Sequence, residues 1–121
     1  MIWEYDIPLA PVSLNNAYYN VPGKGRKPTT KLNNFKEAFG LYCYKQDLSA
    51  GREPPCVSAK LRIDWTFHIT DRPDLDNCIK TSQDALADYY GINDKNIRSL
   101  GADRVKTKES NQHIVVKVEE L

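Results

Sequence analysis

Apolar and polar side chains alternate without interruption from residue 57 to residue 70. The apolar positions are Val57, Ala59, Leu61, Ile63, Trp65, Phe67 and Ile69, each separated from the next by one polar residue. A period of two residues held over this length predicts a β-strand with one face on the core and the other toward solvent or a ligand. The strand leads directly into Pro73, which cannot donate a backbone hydrogen bond to a sheet.

Two other segments have apolar residues at steps of three and four, the spacing of an amphipathic helix. The first helix is predicted over 33–49, with Asn33 or Asn34 as its N-cap. The second is predicted to begin near Asp76 and to end before Gly91. The apolar stripes are Phe35, Ala38, Phe39, Tyr42 and Cys43 in the first helix, and Cys78, Ile79, Ala85, Leu86 and Tyr89 in the second.

The remaining chain predicts three further strands and one loop. Strands are expected at 2–8, near 97–106 and at 113–118. Residues 21–30 are rich in glycine, proline and lysine, which predicts a mobile basic loop that is neither helix nor sheet. Together these elements predict a single domain, residues 1–121, of the α+β class, in which two main helices pack on a small mixed sheet of about four strands.

Charged residues are segregated along the chain, although its formal net charge is only +1. Residues 20–36 contain several basic side chains and no acid, and residues 98–108 contain a second basic run. Acids gather instead at residues 71–94 and at the C-terminus. This arrangement is compatible with two basic surfaces around an acidic, cation-binding centre. A solvated surface, the usual fate of a charge run, explains it equally well.

The three cysteines are odd in number and widely spaced, without a Cys-x-x-Cys pair or histidines at zinc spacing. Free and mostly buried thiols are therefore predicted, rather than disulfides or a zinc site. No segment approaches the roughly 18 consecutive apolar residues of a membrane span. The N-terminus also lacks the layout of a signal peptide. We expect a cytoplasmic protein with no membrane partner.

A pair of alternate carboxylates, Asp74 and Asp76, follows the long strand at the start of the second helix. On an extended turn both side chains point to one side, where they repel each other unless a cation lies between them. Mg²⁺ is typically held by a few carboxylates and water. Lys80 lies one helical turn beyond Asp76, within reach of a phosphate bound there. Asp94 follows a turn that begins at Gly91 and leads to the next strand.

The pair alone does not identify a metal site, because Asp-x-Asp is also common in turns and helix caps. In isolation that structural interpretation is favoured. An EF-hand is excluded, because the sixth and twelfth loop positions are Ile79 and Ala85 instead of Gly and Glu.

Longer stretches of the sequence resemble the RusA family of Holliday junction resolvases. Residues 74–86, DLDNCIKTSQDAL, and residues 92–97, INDKNI, resemble the central signature of that family. Residues 7–19, IPLAPVSLNNAYY, resemble its opening segment. The similarity spans nearly the whole chain in the same order and spacing. Two departures stand out: Asn93 replaces the first acid of the turn, and the basic residues before Asp74 are reduced to Arg72.

The resemblance implies a homodimeric endonuclease that depends on Mg²⁺, with Mn²⁺ as an alternative, and that nicks four-way DNA junctions symmetrically. It implies metal binding by Asp74, Asp76 and Asp94, catalysis by Lys80, and supporting roles for Asn77 and Asp84. The candidates for contact with branched DNA are Lys24, Arg26, Lys27, Arg72, Asn15 and Asn16.

Two alternatives remain open from the sequence. One is a protein of the same fold that binds branched DNA without cutting it, which the replacement of an acid by Asn93 makes plausible. The other is a protein-interaction domain in which the acidic cluster only starts a helix. The second alternative predicts no salt-sensitive DNA binding and no effect of Mg²⁺ on stability.

Overall fold

Six strands and two long helices make up the fold, which we describe from a computed structural model of residues 1–121. The elements are β1 (Ile2–Ile7), β2 (Tyr18–Val21), β3 (Gly25–Pro28), α1 (Thr30–Ala50), β4 (Leu61–Ile69), α2 (Leu75–Tyr90), β5 (Ile97–Lys106) and β6 (His113–Glu120). Short 3-10 turns lie at Leu14–Asn16, Asp94–Asn96 and Glu109–Asn111. The main sheet has the order β1-β6-β4-β5, and β2 and β3 form a separate hairpin. β4 and β5 are parallel, while the other neighbouring strands are antiparallel. The predicted α+β class is confirmed.

The alternating residues of β4 form the centre of the core. Every second residue from Leu61 to Ile69 is buried, and those between are half-buried. The ring of Phe39 from α1 packs against Trp65, with ring centroids 6.2 Å apart. Leu86 of α2 is also fully buried. Because each such side chain contributes about 1.5–3 kcal/mol on burial, this stripe is a main source of stability.

The alternation extends further than the strand itself. β4 begins at Leu61, not at residue 57, because the backbone N–H of Ala59 donates to the carbonyl of Cys56 in a turn (2.9 Å). Val57 is accordingly 62% exposed.

The first helix begins at Thr30, three residues before the start that its apolar periodicity predicted. Its N-cap is Thr29, whose side-chain oxygen accepts from the backbone N–H of Leu32 (3.2 Å). The prediction of Asn33 or Asn34 as N-cap was therefore wrong. Thr29 has the advantage of a second anchor, since its own N–H donates to the carbonyl of Ala17 (2.9 Å).

The predicted loop at 21–30 is also wrong, because most of it belongs to the β2–β3 hairpin. Tyr19 pairs with Lys27 and Asn20 with Arg26. The glycines of this segment are compatible with the hairpin. Gly23 and Gly25 have φ values of 74° and 77°, the positive angles that a tight hairpin turn demands.

All three cysteines are free, as predicted, and Cys43 and Cys78 are buried while Cys56 is exposed. Neither helix has the length and apolar character that crossing a membrane requires.

Candidate functional site

The second helix separates a buried face from a polar one. Its buried residues are Cys78, Thr81, Ser82, Ala85, Leu86 and Tyr90. The hydroxyl of Thr81 donates to the carbonyl of Val12 (2.5 Å), which ties the N-terminal segment to the helix. Ile79 and Tyr89 of the predicted stripe are only partly buried. Apolar periodicity could not predict the burial of Thr81, because its side chain is polar and its hydroxyl is satisfied by this hydrogen bond.

The polar face of α2 borders an open cavity of about 280 Å³ that runs along the helix. We call it the α2 groove, and its lining residues are Asp76, Ile79, Lys80, Gln83, Asp84, Asp94 and Leu100. Four of the predicted site residues thus line one cavity: Asp76, Lys80, Asp84 and Asp94. Gln83 and Leu100 were missed. The helical spacing of seven residues from Asp76 could have indicated Gln83.

Asp94 enters the groove from a 3-10 turn that follows Gly91. The side chain of Asn93 is the N-cap of that turn and accepts from the backbone N–H of Lys95 (2.9 Å). Asn93, which departs from the family pattern, therefore has a local structural role beside Asp94.

Asp74 lies at the other end of the helix and lines a different cavity. It is the N-cap residue of α2, but its carboxylate accepts no capping hydrogen bond. The neighbouring cavity has a volume of about 410 Å³. It is lined by Ser13, Asn15, Asn16, Arg72, Pro73 and Asp74. Three of the residues predicted to contact DNA therefore surround the first of the predicted metal ligands.

The turn that carries Asp74 is held by an arginine of the edge strand. The guanidinium of Arg104 donates to the backbone carbonyls of Thr70 (3.3 Å) and Pro73. Lys106 of the same strand pairs with Asp71 (2.9 Å). Two residues of the second basic run, Arg104 and Lys106, are therefore engaged within the chain.

The carboxylates of the site have no partners within the chain. The four ion pairs of the structure involve Asp47, Asp64, Asp71 and Asp88. No hydrogen bond or ion pair involves the carboxylates of Asp74, Asp76, Asp84 or Asp94. Burial raises the pKa of Asp84 above its ordinary value, and the charges of Asp88 and Asp94 raise it further, against a lowering by Lys36 and Lys80. The groove is thus an acidic environment that basic side chains offset only in part.

The oxygen donors at the start of α2 fit a hard divalent cation. Asp74 and Asp76 are exposed, lack partners and lie two positions apart. Mg²⁺ often takes only one or two carboxylates and completes its shell with water. The structure contains no group of three or more His, Cys, Asp or Glu side chains arranged to hold a metal ion. Asp76 and Asp94 both line the α2 groove, whereas Asp74 lines the other cavity.

The hairpin presents the predicted basic residues to solvent. Lys24, Arg26 and Lys27 are all exposed. The guanidinium of Arg26 lies over the ring of Tyr18, 4.6 Å from its centroid.

The family described as Endodeoxyribonuclease RusA matches residues 8–119 of this sequence. The chain belongs to the RusA family. The match covers nearly the whole of this chain and includes Asp74, Asp76, Asp84 and Asp94. It confirms the resemblance inferred from the motifs. No curated protein matches the RusA chain at a significant level. Membership places it in a family of endodeoxyribonucleases that resolve branched DNA junctions.

Proposed function

We propose that this RusA chain is a Mg²⁺-dependent endonuclease that nicks Holliday junctions symmetrically as a homodimer. The observation that carries the proposal is the set of carboxylates at α2 that have no partner in the chain. Three of them, Asp76, Asp84 and Asp94, line the same groove as Lys80, in a chain that matches an endodeoxyribonuclease family. Unpaired acids that repel one another favour a role in binding a cation.

In this proposal Asp74 and Asp76 hold Mg²⁺ or Mn²⁺, and Asp94 is the third acid. When bound, the ion supplies polarisation of the scissile phosphate and activation of water for attack. Lys80 lies one turn after Asp76 on the same face, from which its ammonium can stabilise negative charge that develops on the phosphate. Asp84 lies one turn further and its charge orients Lys80, while Asn77 supports the start of the helix.

Contacts with the DNA backbone come from residues that surround the Asp74 cavity and from the hairpin. Asn15, Asn16 and Arg72 line that cavity, and the exposed Lys24, Arg26 and Lys27 extend the surface. Such basic contacts give affinity that falls with salt. Symmetric nicking requires two sites related by a two-fold axis, which a homodimer provides.

The test is a nicking assay on a synthetic four-way junction with and without Mg²⁺. We expect Asp76→Asn to lower the nicking rate at least about a hundredfold, with junction binding in the absence of metal unchanged. Asp103→Asn is the matched control, because Asp103 is an exposed acid of β5 outside both cavities. Equal nicking by wild type and Asp76→Asn would refute the assignment.

A second candidate is a branched-DNA-binding protein of the same fold without cleavage activity. The observation in its favour is Asn93, which stands where the family pattern has an acid and serves instead as a turn cap. This candidate predicts salt-sensitive junction binding by the wild type, but no nicking with either Mg²⁺ or Mn²⁺.

A further inference from the structure

Two adjacent tyrosines of β2 have different environments. Tyr18 is half-buried against the core, and the guanidinium of Arg26 lies over its ring. Tyr19 points to the opposite face of the hairpin, because successive residues of a strand alternate between its two faces. Tyr19 is 53% exposed, and neither an aromatic ring nor a cation lies over its own ring. One tyrosine therefore packs within the fold, while the ring of the other is open to solvent.

The hairpin face that carries Tyr19 is basic and has room beside the ring. Lys27 is the cross-strand partner of Tyr19, so their Cβ atoms are about 5 Å apart and both side chains leave the hairpin on the same side. Gly25 is the diagonal neighbour of Tyr19, and a Cβ placed at Gly25 would meet no atom within 4 Å. An aromatic ring thus lies beside an ammonium group, with free space next to it.

The hairpin holds this ring close to the proposed metal site. Asn16, which lines the Asp74 cavity, precedes Tyr19 by three residues. Three residues of extended chain span at most about 11 Å. The hydroxyl of Thr29 fixes the base of the hairpin there, since it lies 3.0 Å from the carbonyl oxygen of Asn16 and 3.2 Å from that of Ala17. DNA bound at the cavity therefore lies within reach of Tyr19.

An open aromatic ring beside a cation suits exposed nucleobases better than continuous duplex. Proteins bind unpaired DNA by stacking aromatic side chains on the faces of bases, while basic groups contact the backbone. In a continuous duplex the neighbouring pairs cover both faces of each base pair, and removing a base from the stack costs free energy. At the branch point of a four-way junction the stack is interrupted. A tyrosine therefore finds a stacking partner there that linear DNA does not offer.

We propose that Tyr19 stacks on a nucleobase at the branch point and thereby determines the preference for branched over linear DNA. Lys27 beside it contacts the phosphates of the same strand and contributes affinity for any DNA. This inference rests on the proposed function, since it names the residue that selects the substrate of that nuclease. Tyr19 takes no part in the chemical step.

Binding measured without metal separates stacking from charge. Wild type, Tyr19→Ala and Tyr19→Phe are titrated with a four-way junction and with a linear duplex of the same sequence, in EDTA and at several salt concentrations. We expect Tyr19→Ala to bind the junction about tenfold more weakly, and the duplex less than about twofold more weakly. Tyr19→Phe keeps the ring and should retain the wild-type preference.

Two further variants serve as controls. Tyr44→Ala removes a tyrosine of α1 that is 54% exposed but lies outside the hairpin, and it should change neither affinity. Lys27→Ala should weaken junction and duplex binding by the same factor and reduce the slope of log affinity against log salt by about 1. Tyr19→Ala should leave that slope unchanged, because stacking releases no counterions. Loss of the hairpin structure would displace Lys27 as well and would therefore change the slope.

A photochemical cross-link tests the contact without any activity. A junction that carries 5-iodouracil at its branch point is irradiated in complex with the protein, which joins the base to an aromatic side chain in contact with it. We expect a cross-linked product with the wild type that is lost in Tyr19→Ala and kept in Tyr44→Ala. Iodouracil in the middle of a duplex arm should give far less product.

Three results would overturn the inference. They are an equal loss of junction and duplex binding in Tyr19→Ala, a cross-link that persists in Tyr19→Ala, and a wild type with no preference for junctions. A wild type that prefers junctions and forms the Tyr19 cross-link, but never nicks with Mg²⁺, would refute the cleavage function alone. Nicking by the wild type, with unchanged junction preference in Tyr19→Ala, would refute the stacking role alone.

Discussion

Carboxylates have opposite environments in two regions of the molecule: one is buried and fully paired, and the others lack partners. Asp47 of α1 is 2% exposed, and the fold supplies all of its partners. One oxygen accepts from the hydroxyls of Tyr5 (3.0 Å) and Tyr89 (2.7 Å), and the other from Arg52 (2.5 Å). At α2 and the turn after it, Asp74, Asp76 and Asp94 are exposed and Asp84 is half-buried. None of these four carboxylates has a hydrogen bond or ion pair within the chain.

The tyrosine hydroxyls that contact Asp47 stay protonated, which agrees with their role as its hydrogen-bond donors. Burial raises the pKa of Tyr5 and Tyr89, and the nearby carboxylate raises it further, so both hydroxyls remain donors. A carboxylate whose hydrogen bonds and ion pairs are all made within the chain stabilises the folded state. A carboxylate left unpaired beside others of like charge is available for something outside the chain. The comparison therefore separates an acid that stabilises the fold from the acids to which we assign the proposed function.

The largest effect is expected from removal of the buried acid. Asp47→Ala leaves the Arg52 guanidinium without its partner and should lower the free energy of unfolding by about 3–5 kcal/mol. Urea denaturation measures the change. Nicking per folded molecule should be unaffected, because this region lies outside both cavities of the site. A loss of activity without a loss of stability would contradict the division into two regions.

An intermediate effect is expected from addition of Mg²⁺. At a concentration one hundred times its Kd, the ion should stabilise the wild type by about 2.7 kcal/mol, because it binds the folded chain only. Asp76→Asn should lose most of this stabilisation in the same melting experiment. Asp103→Asn should retain it. An equal shift in Asp76→Asn would mean that Mg²⁺ binds elsewhere.

The smallest effect concerns Asp84 and depends on pH. Its pKa is raised in the folded chain, so the folded state binds protons more tightly than the unfolded state, and Asp84 lowers stability as pH rises above its ordinary value of 3.8. Asp84→Asn should therefore melt at a higher temperature than the wild type at neutral pH. The difference should vanish below the ordinary pKa, where both states carry the neutral acid. A constant difference at all pH values would show that charge is not its cause.

Elements with a long and uniform pattern could be predicted from the sequence. The β4 alternation and the α2 periodicity each repeat enough times to outweigh chance, and Gly91 marks the helix end through its left-handed φ of 66°. The motif that begins at Asp74 was recognisable because its spacing matches a whole family signature. These features are local, so the sequence contains nearly all of the information about them.

Features that depend on distant residues could not be predicted. The hydrogen bond between the hydroxyls of Tyr5 and Tyr90 joins residues that are 85 positions apart. Arg104 was interpreted as part of a basic run, but its position beside Thr70 follows from the parallel pairing of β4 and β5. The placement of Asp74 and Asp94 in different cavities follows from the length of the helix between them.

The structure of the β2–β3 hairpin affects which substitutions the chain can accept during evolution. Every residue of Gly25–Pro28 is exposed, and Thr29, bonded to the carbonyls of Asn16 and Ala17, fastens the hairpin to the rest of the molecule. A two-stranded ribbon of this kind has little stability of its own, and β3 contributes no residue to the hydrophobic core. Under the proposed function, in which the hairpin contacts DNA, substitutions at its tip can therefore change DNA binding while the rest of the fold stays the same.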